Sequence, residues 1–146
     1  MFEKSFAPDS FRVALILNLL GNAFMETGDL TQARLSYDRA LSLTKHFAGE
    51  GHSHAGIILS NLAELEVRQG TYTGALVFYD RSLEILEKAL GQTHPQLIPV
   101  LTGQASLLRK IGRSKDAKRL EARRNSIQTG FPKSGMVSLE DLQNGR

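Results

Sequence analysis

Residues 59–85 read LSNLAELEVRQGTYTGALVFYDRSLEI, and this stretch decides the fold. Its apolar residues recur three or four positions apart on both sides of Gly70, which is the spacing of two amphipathic helices. Gly70 stands where a helix ends in a left-handed residue, and Thr71 follows it as an N-cap for the next helix. The stretch therefore predicts two helices that are joined by a short turn.

The same pattern returns every 42 residues along the chain. Gly28, Gly70 and Gly112 are 42 residues apart, and the segment YDRAL at 37–41 returns as YDRSL at 79–83. A fixed period in this range indicates stacked copies of one supersecondary unit, each too small to bury its own apolar face. We therefore expect a helical repeat protein.

The period sets the expected organisation of the chain. We expect a helical repeat domain over 1–128 and a polar, flexible tail over 129–146, where Gly and Pro interrupt the pattern. The domain is expected to hold units at 7–48, 49–90 and 91–128, preceded by a partial repeat at 1–7. Two helices are predicted in each unit, at 10–27, 30–47, 54–69, 72–90, 95–111 and 114–128. Pro95 is then expected near the first turn of the fifth helix, where its missing N–H has no cost.

The composition is that of a globular chain, and it removes several kinds of site. Hydrophobic residues make up 41% of the chain, charged residues 23%, and no cysteine is present. Disulfides, Cys-ligated metals and a thiol nucleophile are therefore excluded. The longest apolar run, at 13–20, contains Asn18 and is far shorter than a membrane span. We expect a cytoplasmic protein that does not enter a membrane.

Candidate catalytic and metal-binding residues do not form a recognisable set. His52 and His54 supply two possible metal ligands, and no third ligand is adjacent in sequence. Serine, histidine and aspartate occur without the sequence frame of a catalytic nucleophile, and no glycine-rich phosphate loop follows a strand. We therefore expect a chain that is not an enzyme and that binds no metal and no cofactor.

The second unit resembles a tetratricopeptide repeat in its aliphatic, small, aromatic and polar positions. These positions are Leu59, Asn61, Leu62, Ala63, Leu65, Gln69, Gly70, Tyr72, Ala75, Tyr79, Arg81, Ser82, Leu83 and Ile85. The segment EKALGQTHP at 87–95 resembles the 42-residue subclass that is found in kinesin light chains. Three residues depart from the pattern: Glu66 replaces an aromatic residue, Glu121 replaces a tyrosine and Arg124 replaces a small residue.

The resemblance implies an all-α, right-handed superhelical solenoid of about three antiparallel helix pairs. It also implies a non-catalytic scaffold that binds a peptide or protein partner in a concave groove lined by the first, or leading, helix of each unit. Asn61 matches the asparagine with which family members bind a peptide backbone, whereas Leu19 and Gly103 stand at that place in the other units.

The expected groove residues are the polar side chains of the leading helices that the packing pattern leaves unused. They are Asn18, Asn22, Glu26, Ser60, Asn61, Glu64, Arg68, Thr102, Ser106, Arg109 and Lys110. Because Arg68, Arg109 and Lys110 lie at one end of this set, a ligand with an acidic end is expected there.

Two other functions remain open. The first leading helix is apolar nearly all round over 13–25, although the outer helix of a solenoid is normally polar. A second copy of the chain or preceding repeats are therefore expected to cover it, which makes homo-oligomerisation the first alternative. The segment 109–124 holds eight basic and two acidic residues, which suit nucleic acid or an acidic partner. We favour a solubilising cap for this segment, so nucleic acid is not the expected partner.

Overall fold

The computed structural model describes residues 10–130 of the 146-residue chain. This range contains six α-helices and no β-strand. The helices are α1 (Phe11–Thr27), α2 (Leu30–Ala48), α3 (Ser53–Arg68), α4 (Tyr72–Leu90), α5 (Leu97–Lys110) and α6 (Ser114–Thr129). Their bounds agree with the predicted ones to within two residues, and the predicted all-α, tetratricopeptide-like fold class is confirmed.

The described helices form two compact units. The first contains α1 to α4 and extends to Gln92, and the second starts at Thr93 and contains α5 and α6. The partial repeat predicted at 1–7 lies outside the described residues, as does the predicted tail from 131 onward. The remaining tail residues, Thr129 and Gly130, form the end of α6. The division into a domain at 1–128 and a tail at 129–146 stays a prediction.

Each of the first five helices is followed within two residues by a glycine with positive φ. Gly28, Gly70 and Gly112 follow the leading helices with φ of 82°, 80° and 84°, and Gly49 and Gly91 follow the trailing helices with φ of 96° and 93°. Successive glycines of this set are 21 residues apart. A residue with a Cβ is strained at such φ values, so these positions end one helix and allow the next to begin.

The helix N-termini agree only partly with the predictions. Asp29 caps α2, since its carboxylate accepts a hydrogen bond from the Gln32 N–H at 3.1 Å. Thr71 occupies the predicted N-cap position of α4 but makes no side-chain cap bond. Pro95 lies near the first turn of α5 as expected, but two residues before the helix, which begins at Leu97 and not at 95. The N–H groups of Leu97 and Ile98 instead bond the carbonyls of His94 and Pro95 in a preceding turn.

The core of the first unit is built where α2 packs against both α1 and α3. Its buried members are Met25, Ala33, Tyr37, Ala40, Ile58, Leu59, Leu62 and Leu65. The helices α1 and α2 approach closely at Gly21, where an added Cβ would lie 2.5 Å from Cε1 of Tyr37. Small residues therefore set the helix spacing, and the bulky tyrosine fills the space beside them.

Over residues 10–130, no helix combines the length and the hydrophobicity that crossing a membrane requires.

Candidate functional site

Hydrogen bonds between and within α1 and α3 hold four polar side chains in the first unit, and we call Asn18, Asn61, Glu64 and Arg68 the polar strip. The Asn61 Nδ2 group donates a hydrogen bond to Asn18 Oδ1 at 2.9 Å. Arg68 donates from Nη1 to the Met25 carbonyl oxygen at 2.7 Å and from Nη2 to Glu64 Oε1 at 3.0 Å. Two of these three bonds cross from one leading helix to the other, and together they hold the strip in a defined arrangement.

Asn61 is a residue of the polar strip that keeps unused hydrogen-bonding groups. Asn18 is only 6% exposed, whereas Asn61 is half-buried. A side-chain amide carries two N–H donors and one oxygen acceptor, and Asn61 uses one N–H to bond Asn18. Among the described residues, its oxygen and second N–H have no partner. Asn18 thus orients the Asn61 amide, which keeps a donor and an acceptor for a ligand.

Two buried tyrosines lie near Glu64 of the polar strip. The Tyr37 hydroxyl donates a hydrogen bond to Asn22 Oδ1 at 2.7 Å, which ties this predicted groove residue to α2. Burial raises the pKa of Tyr37 to about 12, and the negative charge of Glu64 contributes in the same direction. Burial, with a further contribution from Glu64, also raises the pKa of Tyr79 to about 12. Both phenols therefore remain protonated near neutral pH.

Two predicted groove residues of the first unit do not join the polar strip. Glu26 is exposed near the end of α1 and, within the described residues, has no hydrogen bond to the strip. The Ser60 hydroxyl donates to the Ile57 carbonyl of its own helix at 2.7 Å, so it is already satisfied. The structure thus brings together Asn18, Asn61, Glu64 and Arg68, with Asn22 held separately by Tyr37.

The predicted groove residues of the second unit are partly engaged with that unit itself. Thr102 donates to the Ile98 carbonyl at 2.8 Å, and Ser106 and Lys110 are exposed. Arg109 makes two hydrogen bonds of 2.6 Å to the carboxylate of Glu121 on α6. These bonds lower the pKa of Glu121 and raise that of Arg109. Glu121, which replaces the tyrosine of the repeat, therefore serves as the partner of Arg109.

The sequence reasoning missed an ion pair between α2 and α3. Glu66 is 8% exposed, and its Oε1 accepts a hydrogen bond from Arg34 Nη2. A buried carboxylate needs a cationic or hydrogen-bonding partner, which explains how Glu66 replaces the expected aromatic residue. The departure of Glu66 from the repeat pattern was the signal that a basic residue on a neighbouring helix would face it.

A histidine cluster lies at the start of α3. The ring of Phe11 meets the rings of His52 and His54 edge-on, with centroids 5.1 and 5.7 Å apart. His54 is buried, its Nε2 has no hydrogen-bond partner within residues 10–130, and burial lowers its pKa. The described part of the chain contains no group of three or more His, Asp or Glu residues that could hold a metal ion.

The basic segment at 109–124 contains part of α5 and most of α6. One side of α6 borders a shallow depression of about 490 Å³, which is lined by Lys118, Arg119, Ala122, Arg123 and Ser126. Arg113 is paired with Asp116 at 2.9 Å. The segment contains no aromatic residue on which a nucleic acid base would stack. This surface is basic, but it lacks the aromatic groups of a single-strand binding site.

The chain has a close match in fold among solved structures. It superposes on BtubC (BKLC) from P. vanneervenii with a TM-score of 0.74 and 19% sequence identity over 89% of its length. The match covers 51% of that protein, so the chain spans about half its length. At this identity the likeness shows the fold alone. No curated protein matches the chain in sequence.

Family profiles match most of the described helices. One tetratricopeptide-repeat profile matches residues 54–124, and a second matches residues 13–54. The two matches adjoin, and together they extend from α1 into α6. The matched ranges contain the helix pairs, the small residues at the helix contacts and the glycines at the turns that are described above. The chain therefore belongs to the tetratricopeptide-repeat family.

Proposed function

We propose that this chain is a non-catalytic interaction module that binds an extended peptide segment of a partner protein on the polar strip. Tetratricopeptide repeats generally mediate protein–protein interactions. The observation that carries the proposal is the Asn18–Asn61 hydrogen bond, because it orients an amide that keeps both a donor and an acceptor. In this proposal the chain acts in the cytoplasm, as a member of the 42-residue subclass, and uses no metal or cofactor.

The chemistry of the polar strip suits a peptide backbone. An extended chain presents N–H and C=O groups in alternation, and the Asn61 amide can bond one of each. Glu64 and Arg68 add one negative and one positive charge beside it, so they favour polar side chains in the ligand. The acidic ligand end expected at Arg68, Arg109 and Lys110 receives less support, because acidic residues of the chain already pair with Arg68 and Arg109.

The proposal is tested by capturing partners from extracts of the source cell. Immobilised wild type, Asn61→Ala and Asp38→Ala proteins are compared by quantitative mass spectrometry. Asp38 is the control because it is an exposed polar residue of α2, outside the strip. We expect proteins that wild type and Asp38→Ala retain equally and that Asn61→Ala loses. Equal retention by all three, with unchanged circular dichroism, would place the binding surface elsewhere.

Nucleic acid binding is the second candidate, because basic residues line the depression on α6. Phosphate contacts give a steep dependence of affinity on salt concentration. Retention of the protein on heparin, with a salt slope that Lys118→Glu and Arg119→Glu reduce, would favour this candidate. A weak slope that these substitutions leave unchanged would favour the solubilising cap.

A further inference from the structure

The outer face of α1 is an apolar surface with one charge at each end. Leu19 is 65% exposed, Ile16 57% and Leu15 39%. Arg12 and Glu26 lie seven residues before and after Leu19, so all three share one face of the helix, about 10 Å apart in succession. Both charged residues are exposed. We call Arg12, Leu15, Ile16, Leu19, Leu20, Ala23 and Glu26 the α1 outer face.

The equivalent residues of the next repeat are buried against a neighbouring helix. Ile16 and Leu20 correspond, 42 residues later, to Ile58 and Leu62, which are 0% and 1% exposed in the core where α2 packs on α3. On α1 the same kinds of side chain are 57% and 43% exposed. Exposed apolar surface of this kind normally marks an interaction site. The α1 outer face therefore has the residues of a covered helix face.

The polar surface of α6 makes it a poor cover for this face in a head-to-tail assembly. The residues by which α2 covers α3 include Tyr37, Ala40 and Leu41. Their equivalents on α6, 84 residues later, are Glu121, Arg124 and Asn125. Burial of these groups against leucine and isoleucine side chains would remove charges from water without new partners. A second copy of α1 offers a matching apolar surface instead.

We propose that the α1 outer face pairs with the α1 outer face of a second copy of this chain, antiparallel about a two-fold axis at Leu19. In an isologous contact both copies use the same surface. If residue i of the first copy contacts residue j of the second, then residue j of the first copy also contacts residue i of the second. Because Arg12 and Glu26 are equidistant from Leu19, each Arg12 then faces a Glu26 of the other copy. The leucines and isoleucine pack between these two ion pairs.

This inference goes beyond the proposed peptide binding, and the two can fail separately. The dimer uses the face of α1 that points away from the rest of the unit, whereas peptide binding rests on Asn61 of α3. Glu26, which was expected in the groove, takes part in the dimer in this account. Asn61→Ala is therefore expected to leave the dimer unchanged.

The test measures the dimer dissociation constant by sedimentation equilibrium over a series of protein concentrations. The wild type is compared with variants in which the charge at Arg12 or Glu26 is reversed. By symmetry, Arg12→Glu creates two like-charge pairs, and so does Glu26→Arg. Each single variant is expected to weaken dimerisation about tenfold or more, and the double variant Arg12→Glu/Glu26→Arg to restore it. Leu19→Glu is expected to give a monomer with unchanged circular dichroism. Val77→Glu is the control, since Val77 is also exposed but lies on α4.

Three outcomes would overturn the proposal. A wild-type monomer at every concentration is the first. A dimer that withstands Leu19→Glu as well as Val77→Glu would place the interface elsewhere. A dimer that the double charge reversal fails to restore would exclude the antiparallel pairing of Arg12 with Glu26.

Discussion

At the scale of single residues, the contact between Gly21 and Tyr37 sets how closely α1 and α2 approach. Tyr37 is 1% exposed, and its hydroxyl is fixed by Asn22, so the ring has little freedom to move away. An alanine Cβ at Gly21 would lie 2.5 Å from one ring carbon and 2.6 Å from the next. Even one added methyl group therefore requires the helices to shift.

We expect Gly21→Ala to lower the free energy of unfolding by about 1–2 kcal/mol. Overpacking typically costs about 1–3 kcal/mol and exceeds the gain in helix propensity of up to about 1 kcal/mol. Urea unfolding followed by circular dichroism measures the difference. Gly51→Ala is the control, because nothing lies within 4 Å of a Cβ at that position. Equal stability of the two variants would contradict the close contact.

The burial of His54 predicts a loss of stability in acid. Its pKa in the folded protein lies below the ordinary value of 6.5, mainly because burial disfavours the charged ring. The unfolded chain therefore binds more protons below pH 6.5, and the free energy of unfolding falls as the pH falls through that value. Above pH 6.5 both states hold the neutral ring, and this contribution to the pH dependence disappears.

The variant His54→Leu should lose this part of the acid sensitivity, since leucine carries no titratable group. Thermal unfolding between neutral and mildly acidic pH measures the effect. His46→Leu is the matched control, because His46 is exposed on α2. We expect it to retain the acid sensitivity of the wild type. An identical pH profile for all three proteins would refute the assignment to His54.

At the scale of the helices, the Arg34–Glu66 pair connects α2 with α3 inside a contact that is otherwise apolar. The Glu66 side chain is 11% exposed, and the Arg34 side chain is 34% exposed. A carboxylate in such a place is costly when its partner is removed. The pair therefore stabilises the contact between the first and second repeats.

We expect Arg34→Ala to destabilise the protein by about 1–3 kcal/mol, because Glu66 would remain buried without its donor. The double variant Arg34→Leu/Glu66→Phe should recover wild-type stability, since apolar residues of similar size often replace a buried ion pair without loss. Chemical unfolding of both variants is the measurement. Arg113→Ala, which breaks the exposed pair with Asp116, should have little effect. A double variant as unstable as Arg34→Ala would show that the pair has a role that apolar packing cannot replace.

The helices were predictable from the sequence because apolar residues recur at helical spacing and Gly28, Gly70 and Gly112, 42 residues apart, mark the turns within the units. The site was predictable only in part. The polar residues of α1 and α3 follow from helical periodicity, but the hydrogen bond between Asn18 and Asn61 depends on the axial offset of the two helices. Periodicity does not specify that offset. For the same reason, the bonds that engage Ser60 and Arg109 within their own units were not foreseen.

At the scale of the whole molecule, α1 has two functional faces in this account. Asn18 points toward α3 and supports the Asn61 amide, whereas Leu19, the next residue, lies on the outer face. Neighbouring residues of a helix point about 100° apart, so one helix can serve both surfaces. Peptide binding and dimerisation are thus separable by substitutions on different sides of the first unit.

The central claim, that a partner binds on the polar strip, is tested most directly by NMR. The amide and side-chain NH₂ resonances of the labelled protein are compared before and after a peptide of the captured partner is added. We predict that the largest shifts occur at Asn61, at its neighbours Glu64 and Arg68, and at Asn18, and that Asn61→Ala abolishes them. Shifts confined to the exposed side of α2 or to α6, with the polar strip unaffected, would contradict the account.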